Sequence, residues 1–251
     1  MMVNQEVGLK VSKVKNVLVL GACGLIAPYV TPGLEPYYRL RLAGHMKPHP
    51  FGKPTVNVDV SSYEEVLEAS RGMDAIINFT VNRDHPVLSF QVNVKGAYHV
   101  MKAAAENGVK KVIHTGPELV RRGYDHDFDV DDVPPMPGTG YYALTKHLSI
   151  EICRVYARAY GIQTICLLFN GLGPKPTEPV SRSDFPTFTV VWEDLVHALR
   201  LALEIKSVPD NFQVFNILSY RAHGKYLVEK ARRILGYVPL ERVENYFKRT
   251  P

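Results

Sequence analysis

The 251-residue chain has only three cysteines, one tryptophan and no apolar run long enough to cross a bilayer. Cys23, Cys153 and Cys166 stand far apart without C-x-x-C spacing, which argues against a disulfide framework and against a zinc site. A membrane span takes about 20 consecutive apolar residues, and the residues before Lys15 lack the continuous apolar stretch of a signal peptide. A soluble, cytoplasmic protein with no membrane partner is expected. The net charge of +5 is spread along the chain, without the basic run interleaved with aromatics that marks a nucleic-acid binder. We read the excess as attraction for an anionic cofactor or substrate. Internal repeats and low-complexity linkers are also missing, so nothing cuts the chain into separate domains. At 46% hydrophobic and 22% charged residues, the composition suits one substantial buried core.

What the chain does contain is a regular alternation of strand and helix patterns. Apolar runs predict strands near residues 16–21, 38–43, 55–58, 74–79, 111–115 and 162–169. Helical periodicity fills the gaps, most extensively over 87–107 and 141–160, and Gly108 and Gly161 stand just past those two helix ends, where a left-handed cap favours glycine. Strands alternating with helices predict an α/β fold of the Rossmann type, a doubly wound parallel sheet. Residues 134–140 and 171–186 read as long loops over the carboxyl edge of the sheet, where ligands of such folds bind. A helix at 192–203, a strand at 213–217 and a helix at 225–235 follow. The expected organisation is one Rossmann-fold domain over 1–251, with residues 171–190 and 218–251 forming a small C-terminal substrate cap.

The stretch Gly21-Ala22-Cys23-Gly24-Leu25-Ile26-Ala27 follows the apolar Val17-Leu18-Val19-Leu20 directly. A strand running into a glycine-bearing turn and then a helix leaves free N–H groups and a helix dipole aimed at an anion such as a pyrophosphate. The pattern is looser than G-x-G-x-x-G, and glycines at such a corner also serve turn geometry alone. Further on, Tyr142 and Lys146 lie four residues apart on one helical face. A cation beside a phenol stabilises the phenolate, which suits acid/base work, although an exposed pair on an amphipathic helix has the same spacing.

Taken in order, the strand and GACGLIA, Asp59-Val60, Asn93-Val94-Lys95-Gly96, Val112-Ile113-His114-Thr115, Tyr142-x-x-x-Lys146 and Asn170-Gly171-Leu172-Gly173-Pro174 resemble the extended short-chain dehydrogenase/reductase family, also called the NAD-dependent epimerase/dehydratase family. The resemblance covers nearly the whole chain. It implies NAD or NADP as cofactor, cradled by Gly21, Cys23, Gly24, Leu25 and Ile26. It implies that Tyr142 is the acid/base and that Lys146 lowers its pKa while holding the nicotinamide ribose. By the same resemblance Asn93 shapes the proton-relay helix, Asp59 and Val60 contact the adenine, Phe79, Thr80 and Val81 line the ribose and nicotinamide, and Asn170 belongs to the cofactor site.

Two departures from the family pattern stand out. Relatives that prefer NAD carry an acid at the end of the second strand to grip the adenosine ribose, whereas this chain has Gly44, followed by His45 and Lys47. His45 is therefore placed among the cofactor residues. The family's habit favours NAD and the local chemistry favours NADP. The second departure is Pro117, which occupies the place of the substrate-binding Ser or Thr beyond the fifth strand, leaving Thr115 or Glu118 to hold the substrate oxygen.

The segment from Pro174 to Trp192 is short, and with the Trp-x-Asp-Leu-Val pattern it is similar to the compact uronate dehydrogenases, which oxidise free sugar acids. Arg182 in that segment is a candidate clamp for a substrate carboxylate, set against the plainer reading of a solvated arginine. The expected activity is hydride transfer between a nicotinamide and an alcohol carbon of a small sugar or sugar acid, with Tyr142, Lys146 and Thr115 catalytic. A sugar epimerase or dehydratase with internally recycled NAD, and a non-catalytic dinucleotide sensor, are the alternatives. A homodimer through the two long helices is also expected, as relatives commonly pair that way.

Overall fold

A computed structural model describes residues 14–180, 188–221, 223–241, 243 and 246. Strands β1 (Asn16–Leu20), β2 (Arg39–Gly44), β3 (Val56–Asn57), β4 (Ala75–Asn78), β5 (Lys111–Gly116), β6 (Gln163–Leu168) and β9 (Phe212–Asn216) form one sheet in the order β3-β2-β1-β4-β5-β6-β9. Every pairing in it is parallel. A short ribbon, β7 (Asn170–Gly173) with β8 (Thr189–Val191), stands apart from the sheet. Helices α1 (Ala27–Leu34), α2 (Tyr63–Ala69), α3 (Pro86–Ser89), α4 (Gly96–Glu106), α5 (Tyr141–Tyr160), α6 (Trp192–Glu204) and α7 (Glu229–Leu235) complete the layers. This is the doubly wound Rossmann sheet expected.

The central strands β1 and β4 are almost wholly apolar because helices cover both faces, so no alternating polar side is needed there. Val17 to Leu20 and Ala75 to Ile77 have no exposed surface at all. Helix α1 packs against α6, and α2, α4 and α5 pack side by side. Gly33 on α1 lets that contact close, since a Cβ there would stand 2.7 Å from a methyl of Val196. One continuous core runs from Val17 to Tyr237. The strand order reverses between β1 and β4, and a doubly wound sheet opens its ligand crevice at that switch point, beyond the carboxyl ends of the strands.

Two helices differ from their sequence patterns. The 87–107 pattern starts at Pro86 and is interrupted by a π-turn over Phe90–Lys95, a widened turn often found at functional sites. The 225–235 pattern yields a helix only from Glu229. Tyr226 is instead drawn into a bridge with Val130, the amide of Val130 donating to Lys225 O and that of Leu227 to Val130 O. Helix α5 matches its pattern and closes at Gly161, at φ 65°.

Candidate active site

Gly21 leaves β1 at φ +79°, and a Cβ there would stand 3.0 Å from the carbonyl carbon of Phe79 and 3.1 Å from the amide nitrogen of Thr80. Both the conformation and the space demand glycine. Gly24 N donates to Gly21 O at 3.0 Å, and a Cβ on Gly24 would approach that oxygen to 3.1 Å. Helix α1 then begins with no side-chain cap and no acid in its first turn. Bare backbone and an uncapped N-terminus fit the pyrophosphate of a dinucleotide.

The far end of this crevice lies over β2 and β3. A Cβ on Gly44 would overlap the thiol of Cys23 and stand 3.1 Å from its Cβ. His45 Nε2 lies 3.8 Å from Asp59 Oδ2, while Ser61 N donates to Asp59 Oδ1 at 2.8 Å. Burial works against ionisation of Asp59, but the Ser61 hydrogen bonds and the charges of His45 and Lys95 outweigh it and hold the carboxyl below its usual range. Val60 is buried, and its carbonyl faces Nδ1 of His99 at 2.9 Å.

At the other end a cleft of about 390 Å³ opens, lined by Leu25 and Ile26 from the glycine corner, Phe79, Val81 and Arg83 beyond β4, and Thr115 to Pro117 at the carboxyl end of β5. Tyr142 and Lys146 from α5, residues 169–172 and Trp192 close it. The two α5 side chains therefore do share one cavity, as their four-residue spacing requires. Burial pushes the Lys146 ammonium down to about 8, with Cys153, Cys166 and Arg83 as smaller influences. The Tyr142 phenol is held above its ordinary value, first by burial; the Arg83 guanidinium opposes this and the Glu118 carboxylate adds to it. The Arg83 guanidinium carbon is 5.9 Å from the Tyr142 ring centre.

Behind the cleft, polar groups tie α5 to the sheet. His114 is buried on β5, with Nδ1 at 3.3 Å from Asn78 Nδ2 and Nε2 at 2.9 Å from Ser149 Oγ. Ser149 Oγ donates to Lys146 O at 2.7 Å, so its only proton is committed and His114 Nε2 must carry the hydrogen between them. Burial keeps this imidazole neutral, well below its usual pKa. Sequence reasoning passed over His114, Asn78 and Ser149. A histidine within the apolar strand Lys111–Gly116 was the available signal.

Three predicted residues turn out to be engaged within the protein. Thr115 Oγ1 donates to Asn78 O at 3.0 Å, so its one proton bridges β5 and β4 even though the residue lines the cleft. Asn93 is buried, and its amide is taken up by Asn82 N at 2.9 Å, Asn82 O at 2.8 Å and Thr145 Oγ1 at 2.9 Å. It positions the loop after β4 against α5 and is not on the cleft wall. Thr80 likewise holds Asn78 Oδ1 through both its amide and its hydroxyl.

Glu118 stands behind Pro117 and accepts from Asn170 Nδ2 at 2.6 Å, while its second oxygen is buried without a partner. Burial, with Asp125 adding, raises its carboxyl to about 7. Arg182 lies outside the described residues. Arg83, which no sequence pattern singled out, is on the cleft wall.

With this geometry in place, the family follows. The NAD dependent epimerase/dehydratase family model matches residues 17–191, and the chain belongs to that family. It is an NAD-dependent oxidoreductase of the extended short-chain dehydrogenase/reductase type. A uronate dehydrogenase of Pseudomonas syringae pv. tomato is 28% identical over 194 residues, spanning 75% of this chain and 69% of that protein. Among solved structures, a mutated uronate dehydrogenase superposes with a TM-score of 0.78 at 23% identity, covering 93% of this chain and 84% of that one. A glucuronic acid dehydrogenase from Chromohalobacter salexigens does so at 0.77 and 21%, covering 93% and 87%.

Proposed function

We propose that the protein oxidises a hydroxyl carbon of a small sugar acid, with Tyr142 as proton acceptor. The observation that carries this reading is that Tyr142 and Lys146 open together into a cleft whose wall includes the glycine corner after β1. When bound, the dinucleotide supplies the nicotinamide carbon that takes hydride from the substrate. The backbone at Gly21 and Gly24 would hold its phosphates, and Lys146 would hold the ribose that carries the nicotinamide. Tyr142 removes the hydroxyl proton as the carbonyl forms, and returns it in the reverse direction. Of the two residues expected to hold the reacting oxygen, Thr115 lines the cleft with its proton committed to Asn78 O, and Glu118 stands behind Pro117.

Support for a sugar acid comes from the likeness to uronate dehydrogenases and from the two cations, Lys146 and Arg83, on the cleft wall. Residues 171–190 and 218–251 are assigned to the substrate side. Gly44, His45 and Lys47 support acceptance of NADP beside NAD. A homodimer through α4 and α5 is assigned on the exposed Tyr98, Val155 and Tyr160, and the location is cytoplasmic.

The experiment follows NADH absorbance with D-glucuronate or D-galacturonate. Wild type produces NADH, and Tyr142→Phe loses about 10²–10⁴-fold in rate with unchanged NAD affinity. An inverted sugar without net NADH would instead indicate an epimerase. The non-catalytic sensor retains a specific basis in Pro117 and in the Thr115 proton committed to Asn78 O. Tight dinucleotide binding without turnover over a panel of sugars would establish it.

A further inference from the structure

We infer that Arg83 holds the carboxylate of the substrate, an assignment that rests on the sugar-acid reading above. Among the described residues, two cationic side chains stand on the cleft wall. Lys146 is buried to 2% exposure at the root of α5, whereas Arg83 is exposed at the mouth beyond β4. Its guanidinium carbon is 5.9 Å from the centre of the Tyr142 ring. A small molecule whose hydroxyl meets the phenol thus has groups a few bonds away within reach of the guanidinium.

The charge of Arg83 is available to a ligand. Among the described residues its guanidinium has no hydrogen bond and no carboxylate partner, whereas Arg71, Arg154, Arg158, Arg200 and Arg232 each have one. The planar fork of an arginine matches a carboxylate with two parallel hydrogen bonds, which an ammonium cannot reproduce.

The backbone that carries Arg83 is fixed. Tyr141 Oη donates to Arg83 O at 3.0 Å, and Asn93 holds the amide and the carbonyl of the preceding Asn82. These anchors use main-chain atoms at positions 82 and 83, so replacing the Arg83 side chain leaves them in place. A side chain rooted this way presents its charge to the cleft without the ordering cost of a mobile loop.

The field in the cleft also has a direction. The phenol of Tyr142 lies within the influence of both Arg83 and the Glu118 carboxylate, with opposite effects. Glu118 is tied to Asn170 on the β7 side. An anionic substrate is therefore drawn with its carboxylate toward Arg83 and away from Glu118, leaving its hydroxyl end at Tyr142.

The test uses protein loaded with NADH and measures D-glucuronate binding by saturation-transfer NMR, alongside NADH affinity by fluorescence, for wild type, Arg83→Gln and Arg83→Lys. The expected result is at least a 10-fold loss of glucuronate affinity in Arg83→Gln, partial recovery in Arg83→Lys, and NADH affinity within 2-fold of wild type. Equal glucuronate affinity in wild type and Arg83→Gln would overturn the assignment while leaving the sugar-acid reading intact. Parallel loss of NADH would make Arg83 a cofactor residue and overturn it too. If wild type binds no glucuronate, the sugar-acid reading fails and this inference with it.

Discussion

The thiol of Cys23 fills the space into which a side chain at Gly44 would project. The end of β2 is therefore glycine for a reason that lies in the neighbouring turn. An acid placed there to grip the adenosine ribose would have to displace the sulfur. Gly44→Asp alone should weaken NAD binding at least 10-fold through this overlap. The double variant Cys23→Gly with Gly44→Asp should bind NAD normally and gain roughly 10-fold in preference over NADP, the scale of a charge-assisted hydrogen bond. Fluorescence titration of both dinucleotides decides the matter, and tight NAD binding by Gly44→Asp alone would show that the thiol is no obstacle.

Thr115 offers a sharper test of what the strand-end hydroxyl does. Its proton bridges to Asn78 O, so Thr115→Val should cost about 1–2 kcal/mol of stability, because a buried carbonyl loses its donor. Turnover should stay within 10-fold of wild type. A drop of about 10²–10³-fold, the signature of a lost oxyanion donor, would return Thr115 to the catalytic group.

Glu118 predicts a pH dependence of stability. Its carboxyl stands at about 7 in the fold against an ordinary value of 4.5, so between these values the folded protein binds more protons than the unfolded chain. The contribution is fully present below pH 4.5 and is lost as pH rises through 7. Glu118→Gln keeps an acceptor for Asn170 without the buried charge. Its melting temperature should match wild type near pH 4.5 and exceed it at pH 8, by the equivalent of about 3 kcal/mol. A difference that does not change with pH would contradict the burial of this charge.

Much of the fold was legible because its signals are local. Glycines needed for left-handed turns, such as Gly21 and Gly161, apolar runs for doubly covered strands, and the period of α5 each depend on a few consecutive residues. The start of α7 was not legible, since residues 225–228 were claimed by a bridge to Val130, almost a hundred positions earlier. The π-turn at Asn93 escaped for the same reason, its amide answering to Asn82 and Thr145.

By itself the sequence determined the alternation of strands and helices, the glycine corner, and the placing of Tyr142 and Lys146 on one helical face. Those properties follow from backbone sterics and from the 3.6-residue period. Only the tertiary structure decided that the Thr115 proton goes to Asn78, that Cys23 closes the space over Gly44, and that Arg83 shares a cleft with Tyr142. Each of these joins residues from separate elements, and the distance between such residues is set by how the layers pack.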